Sequence, residues 1–396
     1  MPREGDLRVD TDVIIVGAGP AGLAFARSLA GMGLAALLVE RQPYAALADP
    51  AYDGREIALT HGARAILARL GAWQPIPPGR ISPLRAARVR NGRSAFALDF
   101  EPGPAGEALG WLVPNHLIRR ALFERVAEQP GLRLVCGSSV VAARTERRFA
   151  QVQLSTGETV RGRLLVAADS RFSPLREALG IAAKVNRLGR AMLVCRVAHP
   201  KPHDQVATEW FGHDQTIALL PLNGGMSSVV LTLPEREIER LAKLCDTALG
   251  VELTRRSADM LGPMEVAGSR HVYPLATTWA KHFGARRAAL IGDAAVGMHP
   301  VTAHGFNLGL RGQDLLAAEV GKALRQGRDP GEDAVIRAYE RGHRAAARPL
   351  WLGTNALVQL YTDERPLALA ARHAGLRLGA RLPMFRSGVR SMLMAR

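Results

Sequence analysis

The chain has 396 residues, 47% of them hydrophobic and only 5% aromatic, and Lys plus Arg exceeds Asp plus Glu by 52 − 36 = 16. That length and apolar content exclude a disordered or fibrous chain and bound the molecule to two or three domains or one large α/β enzyme. The basic excess suits an anionic cofactor or membrane surface, but the arginines are scattered, with no lysine block, zinc-finger spacing or base-stacking motif, so no nucleic acid partner is expected.

The N-terminal MPREGDLRVD lacks the apolar core of a signal peptide, and no apolar stretch is long enough to span a bilayer. The expectation is a cytoplasmic protein whose membrane contact, if any, is peripheral. Cys136, Cys195 and Cys245 are odd in number and far apart, and they read as buried thiols of a reducing compartment, with no metal site.

In chain order, the first informative stretch is TDVIIVGAGPAGLAFARSLAGMGLAALLVER, residues 11–41. Val13 to Val16 reads as a β-branched strand, Pro20 to Met32 has helical periodicity, and Leu37 to Val39 reads as a second strand. Gly17, Gly19 and Gly22 stand between strand and helix in G-x-G-x-x-G spacing. The first permits a tight turn, the second lets a pyrophosphate approach the backbone, and the third allows close packing of helix on strand. Ala18, Pro20 and Ala21 complete this loop, and Glu40 closes the second strand where a carboxylate takes a ribose hydroxyl pair. Arg41 follows as a candidate contact to adenosine or an ordinary surface residue. The motif implies a dinucleotide but does not separate NAD from FAD.

RGRLLVAADSRFSPLREALGI, residues 161–181, is another apolar strand ending in an acid, Asp169. Residues 187–233 hold strand-like runs between His-Pro, Gly and Asn-Gly-Gly turns, which predicts an antiparallel sheet, and LPEREIERLAKLCDTAL predicts a helix after it. GDAAVGMHPVTAHGFNLGL, residues 292–310, leaves an apolar run through Asp293, turns at His299-Pro300 and enters a helix near Gly305. Unpaired N–H groups at such a helix start favour negative charge. After residue 330 the pattern is helical to the end, and RLPMFRSGVRSMLMAR mixes apolar residues with arginines, suited to anionic lipid or to closing a domain.

Taken in order, GAGPAG, ADSRFSPLR and GDAAVGMHP resemble the three motifs of the class A flavoprotein aromatic hydroxylases. YDGREIALTHGARAILARLGAW, WLVPNHLIRRAL and ATEWFGHDQTIALLPL look like the same family, and HPVTAHGFNLGLRGQDLLA is most similar to its ubiquinone-biosynthesis hydroxylases, of the UbiM type. The resemblance implies an α/β fold: a Rossmann-like FAD-binding domain of the para-hydroxybenzoate hydroxylase kind, an inserted antiparallel-sheet substrate domain and a C-terminal helical region. The expected division gives residues 1–75, 105–185 and 270–330 to FAD, 76–104 and 186–269 to substrate, and 331–396 to the helical region.

By the same resemblance, Asp293 would hold the ribityl or pyrophosphate side of FAD, and Asp169 the pyrophosphate region and the path of NAD(P)H. Arg55, Asn115 and Arg119 would approach the flavin from a neighbouring turn and helix. Pro300 would lie against the flavin face where oxygen reacts, Gly305, Phe306 and Asn307 would present backbone N–H groups to the pyrimidine edge, and Ala303 and His304 would complete the cofactor-binding turn. Pro300 and His304 are the candidate catalytic residues. His304 stands where the family has a glutamine and either relays a proton or serves as a plain hydrogen-bonding replacement. Ser170 and Val296 depart from the usual glycine and histidine.

The implied activity is hydroxylation of the ring of a polyprenyl phenol or quinol on the way to ubiquinone, with O2, through a flavin C4a-hydroperoxide. NAD(P)H would be a transient electron donor, since no second dinucleotide motif is present. The implied partners are the polyprenylated aromatic, O2, other ubiquinone-biosynthesis proteins and the surface of the inner membrane. Two alternatives stay open: an FAD-dependent reductase or hydroxylase of another aromatic, and a flavin-bound scaffold subunit of a quinone-synthesis complex.

Overall fold

The computed structural model describes residues 9–92, 94, 96–101, 106–212, 215–302 and 304–362, with Arg372 and Arg377 beyond them. Ala303 and the terminal RLPMFRSGVRSMLMAR therefore lie outside the described residues. Strand Thr11–Val16 pairs in parallel with Ala36–Glu40 on one side and Thr159–Ala167 on the other. Leu132–Cys136 and Ala288–Leu290 extend the sheet outward, again in parallel. Strands covered on both faces are written as continuous apolar runs, and Val13, Ile14, Ile15, Leu38, Leu164, Leu165 and Val166 are accordingly fully buried. Each such side chain contributes about 1.5–3 kcal/mol by leaving water. Helix Pro20–Ser28 carries its apolar stripe of Leu23, Ala24, Phe25 and Ala26 inward, and packs against helices Asn115–Val126 and Gly305–Arg325.

A second sheet runs, in spatial order, Val296–Gly297, Glu265–Ala280, Ala183–Ala198, Met226–Pro234, Thr216–Leu222, Val206–Phe211, Ala86–Asn91 and Ala97–Phe100. Its pairings are antiparallel except between Val206–Phe211 and Ala86–Asn91. One face buries Leu193, Cys195, Val229 and Leu231 under helices Glu235–Ala242 and Asp246–Arg256. The sequence predicts one helix there. The break between the two lets Ile238 and Leu241 on one side, and Leu249 and Leu253 on the other, reach the same core.

A small sheet of Glu56–Leu59, Gly110–Pro114 and Ser82–Leu84 lies between these layers, its last two strands packing on Thr216–Leu222. Helix Asp333–Thr362 packs along Gly305–Arg325. Of the three thiols read as buried, only Cys195 is; Cys136 is half-buried, and Cys245 is exposed because it caps the start of a surface helix. Among the described residues no helix is long and apolar enough to cross a membrane.

Candidate functional site

The parallel strands are aligned so that Val39, Val16, Ala167 and Leu290 form one row. The chain thus leaves four strands at one edge, the carboxyl edge where open α/β sheets take ligands. Glu40, Gly17, Asp169 and Asp293 follow these ends within three residues. Gly17 has φ +105°, and a Cβ there would sit 2.5 Å from the carbonyl oxygen of Ala168. Gly292, at φ +58°, packs so closely that its Cβ would lie 2.9 Å from that of Ala21. The three motifs, nearly three hundred residues apart at the extremes, are therefore packed directly together.

Gly22 makes the tightest approach, since a Cβ would fall 1.9 Å from the Gly17 carbonyl oxygen. Gly22→Ala must push the helix off the strand, and overpacking of this kind costs about 1–3 kcal/mol. The expected outcome is a lowered melting temperature together with reduced FAD content, checked by thermal unfolding and absorbance of the purified variant. An unchanged melting curve would show that the loop yields freely.

Several features fit an anionic dinucleotide. Gly19 faces open space, with no heavy atom within 4 Å of the position a Cβ would take. It starts helix Pro20–Ser28 without any side-chain cap, and His304 starts Gly305–Arg325 likewise; a helix start not covered by a capping side chain favours an anion. Asp169 accepts the Leu175 N–H through Oδ2 at 3.4 Å, while its Oδ1 is buried with no partner. A buried acceptor left open is one that a ligand hydroxyl would satisfy.

Two carboxylates are engaged in ways the sequence did not indicate. Glu40 accepts the Ala18 N–H at 2.7 Å and the Gln42 N–H at 2.9 Å, tying the glycine loop to the end of the second strand. Asp293 is held through Oδ2 by Arg171, from Nε at 3.1 Å and Nη2 at 2.8 Å. Arg171 in turn donates to the Ala276 carbonyl at 2.8 Å, so the middle motif orients the last one.

The residues expected from the neighbouring turn and helix do converge. Arg55 pairs with Asp53 at 2.6 Å, and Asn115 Nδ2 donates to the same Asp53 oxygen at 2.7 Å. Burial pushes the Asp53 carboxyl up, but the Arg55 charge and the hydrogen bonds from Arg55 and Asn115 outweigh it and hold it below its usual range. Arg55 lies over the Tyr273 ring at 5.6 Å and within electrostatic reach of Asp293. Arg119 donates to Gln42 at 3.3 Å and feels the charges of Asp53, Arg55 and Glu40.

Arg41 is exposed at the strand end, Pro300 opens the short helical turn Pro300–Thr302, and His304 is buried. Gly305 and Phe306 are half-buried in the first turn of the long helix. Asn307 spends its side chain on the small sheet, accepting the Thr60 N–H at 3.0 Å and donating to the Ala58 carbonyl at 2.8 Å.

A cavity of about 360 Å³ lies against this loop, between Phe211, Thr216 and Thr232 of the second sheet, Arg190, His299 and Val358 of the last helix. That volume is in the range of small-ligand sites. His299, noticed in the sequence only as part of a turn, lines the cavity directly. Two residues before Phe211 and on the same strand face stands Glu209, which has no ion pair among the described residues. Burial alone pushes its carboxyl up to about 8.

An unfolded glutamate titrates near 4.3, so between there and about 8 the folded state holds the extra proton. Stability therefore falls as pH rises through that window. Glu209→Gln is expected to melt like the wild type near pH 5 and at a higher temperature near pH 8.5. Parallel curves at both pH values would show that the carboxyl is solvated.

The molecule can thus hold a large anion across the sheet edge and an organic ring in the cavity beside it. Residues 10–351 match the family described as FAD binding domain. Ubiquinone hydroxylase UbiM of Neisseria meningitidis is 44% identical over 382 residues, covering 95% of this chain and 83% of that protein. Ubiquinone hydroxylase UbiL of Rhodospirillum rubrum is 34% identical over 372 residues, covering 94% and 86%. Among solved structures, p-nitrophenol 4-monooxygenase PnpA from Pseudomonas putida superposes with a TM-score of 0.77 at 17% identity, over 98% of this chain and 100% of that one. With a shared FAD-binding fold and relatives this similar over nearly their whole length, the chain belongs to the ubiquinone hydroxylase family of FAD-binding monooxygenases.

Proposed function

We propose that the protein hydroxylates the aromatic ring of a polyprenylated phenol or quinol intermediate of ubiquinone biosynthesis, using FAD, O2 and electrons from NAD(P)H. The observation that carries this reading is the position of the cavity, walled by His299 and Val301 of the turn that follows Asp293 and the short strand Val296–Gly297. Bound FAD, once reduced, supplies the activation of O2; the chain supplies binding, orientation and a dry site.

Residues 17–22 present backbone to the pyrophosphate, Glu40 braces that loop at the ribose end, and Asp169 and Asp293 accept from the sugar and ribityl hydroxyls. Arg55, Asn115 and Arg119 close the site from the side. The start of the long helix at Gly305 and Phe306 would turn its positive pole toward the flavin ring, which carries negative charge on reduction. Pro300, between the lining residues His299 and Val301, would lie against the flavin face, and the apolar Phe211, Val301 and Val358 line the cavity.

In this reading the parallel sheet holds the cofactor and the second sheet the substrate, with both long strands, Ala183–Ala198 and Glu265–Ala280, running from one to the other. A net charge of +16 supports peripheral contact with anionic lipid, where a prenyl tail would reside. The test is to follow NAD(P)H oxidation by the FAD-loaded protein in air, with a short-prenyl demethoxyubiquinol. A hydroxylated ring product is expected. NAD(P)H oxidation that yields hydrogen peroxide alone would favour a reductase or scaffold role.

A further inference from the structure

His299 is 7% exposed and shares the cavity wall with Arg190, Thr216 and Thr232. Its Nδ1 lies 3.2 Å from the backbone nitrogen of Val301. A backbone N–H can only donate, so Nδ1 accepts, and the proton of the neutral ring is on Nε2. Burial first, and then the nearby charges of Arg190 and Arg171, pull this imidazole down to about 4, so it is neutral near pH 7. Nε2 has no hydrogen-bond partner among the described residues. Nε2 is also not one of the sealed, unpartnered polar atoms of the interior, so this donor is open to the cavity that His299 lines.

From this geometry, and resting on the hydroxylase reading above, we infer that His299 is a substrate-binding residue whose Nε2–H donates to an oxygen substituent on the aromatic ring. The Val301 bond fixes the plane of the imidazole and so the direction of the donor. An uncharged donor suits a neutral hydroxyl, methoxy or carbonyl oxygen. The paired hydroxyls of Thr216 and Thr232, opposite each other on neighbouring strands, add polar contacts on the sheet side. Recognition is thus of an oxygenated ring, and a ring bearing no oxygen gains nothing from His299.

The inference is tested with His299→Leu, which removes the donor, and His299→Gln, whose amide N–H reaches the same place. FAD-loaded wild type and variants are titrated with a short-prenyl demethoxyubiquinone and, separately, with a prenylbenzene lacking ring oxygens, following the flavin absorbance. Leucine is expected to weaken the quinone by about tenfold or more and leave the prenylbenzene within twofold, while glutamine recovers most of the quinone affinity. Product formed per NAD(P)H oxidised should fall in the leucine variant and recover in the glutamine one. Equal weakening of both ligands, no weakening of either, or no recovery by glutamine would overturn the inference. If the wild type binds the quinone but releases only hydrogen peroxide, the hydroxylase reading fails, and the binding comparison still decides the role of His299.

Discussion

Arg196→Met is expected to destabilise the protein by about 3–5 kcal/mol, the cost of leaving a buried charge without its partner. Glu56 has a side chain only 1% exposed, and Arg196 grips its Oε1 from Nη2 at 2.6 Å and Nε at 2.9 Å. The other oxygen, Oε2, is buried with no partner, and the Tyr52 hydroxyl, which donates to Oε1 at 3.4 Å, brings no charge to replace the arginine. Burial already holds the Glu56 carboxyl above its usual range despite the arginine, and removing the arginine raises it further. The folded variant then keeps a proton that the unfolded chain gives up above about pH 4.3, so the loss of stability grows from pH 5 to pH 8. Guanidinium unfolding at both pH values measures it. Arg196→Met/Glu56→Gln should recover most of the loss, because the two residues act as one unit. A loss below 1 kcal/mol at pH 8 would mean that water reaches the pair.

The same variant disturbs the site. Glu56 follows Arg55 in the chain, and Arg55 offers its carbonyl to the Asn115 N–H at 2.9 Å, at the start of the helix that carries Arg119. Arg196 also lies over the Tyr52 ring at 4.5 Å, so the second sheet is pinned to this turn by charge and by an aromatic contact. Tyr273 reinforces it by donating to the Asp53 carbonyl.

The second large effect is Asp293→Ala, which is expected to cost bound FAD. A charge-assisted hydrogen bond contributes about 1.5–3 kcal/mol, which corresponds to roughly 10- to 150-fold in the dissociation constant. The substitution also frees Arg171 from its bidentate hold and loosens the link between middle and last motifs. Asp293→Asn keeps the hydrogen-bonding shape and loses only the charge, so its affinity should fall between the two. FAD content after purification and the dissociation constant on reconstitution read this directly. Wild-type flavin content in Asp293→Ala would remove Asp293 from the cofactor site.

The strand-end motifs were legible because glycine spacing records a backbone requirement: no side chain fits at Gly17 or Gly22, and the sequence shows none. The apolar runs were legible because a sheet covered on both faces has no polar positions. Ion pairs between layers were not. Arg171 and Asp293 are 122 residues apart, and Arg196 and Glu56 are 140 apart, so no local period links them. Glu40 was expected at a ribose, and nothing in its neighbours told that both of its oxygens would already meet backbone N–H groups. The single helix expected after residue 233 became two because the sheet beneath it, invisible in the local pattern, rewards a bend. His299 went unassigned because His-Pro reads as a turn; that its ring faces a cavity depends on the second sheet and the last helix arriving from elsewhere in the chain.

The proposed reaction places an oxygen atom from O2 on the ring of a quinone precursor. The direct measurement is turnover of a short-prenyl demethoxyubiquinol by the FAD-loaded protein with NAD(P)H under ¹⁸O2, followed by mass spectrometry of the product. One ¹⁸O atom in the new ring hydroxyl is the expected result. A hydroxyl derived from water, or hydrogen peroxide with the ring unchanged, would contradict it.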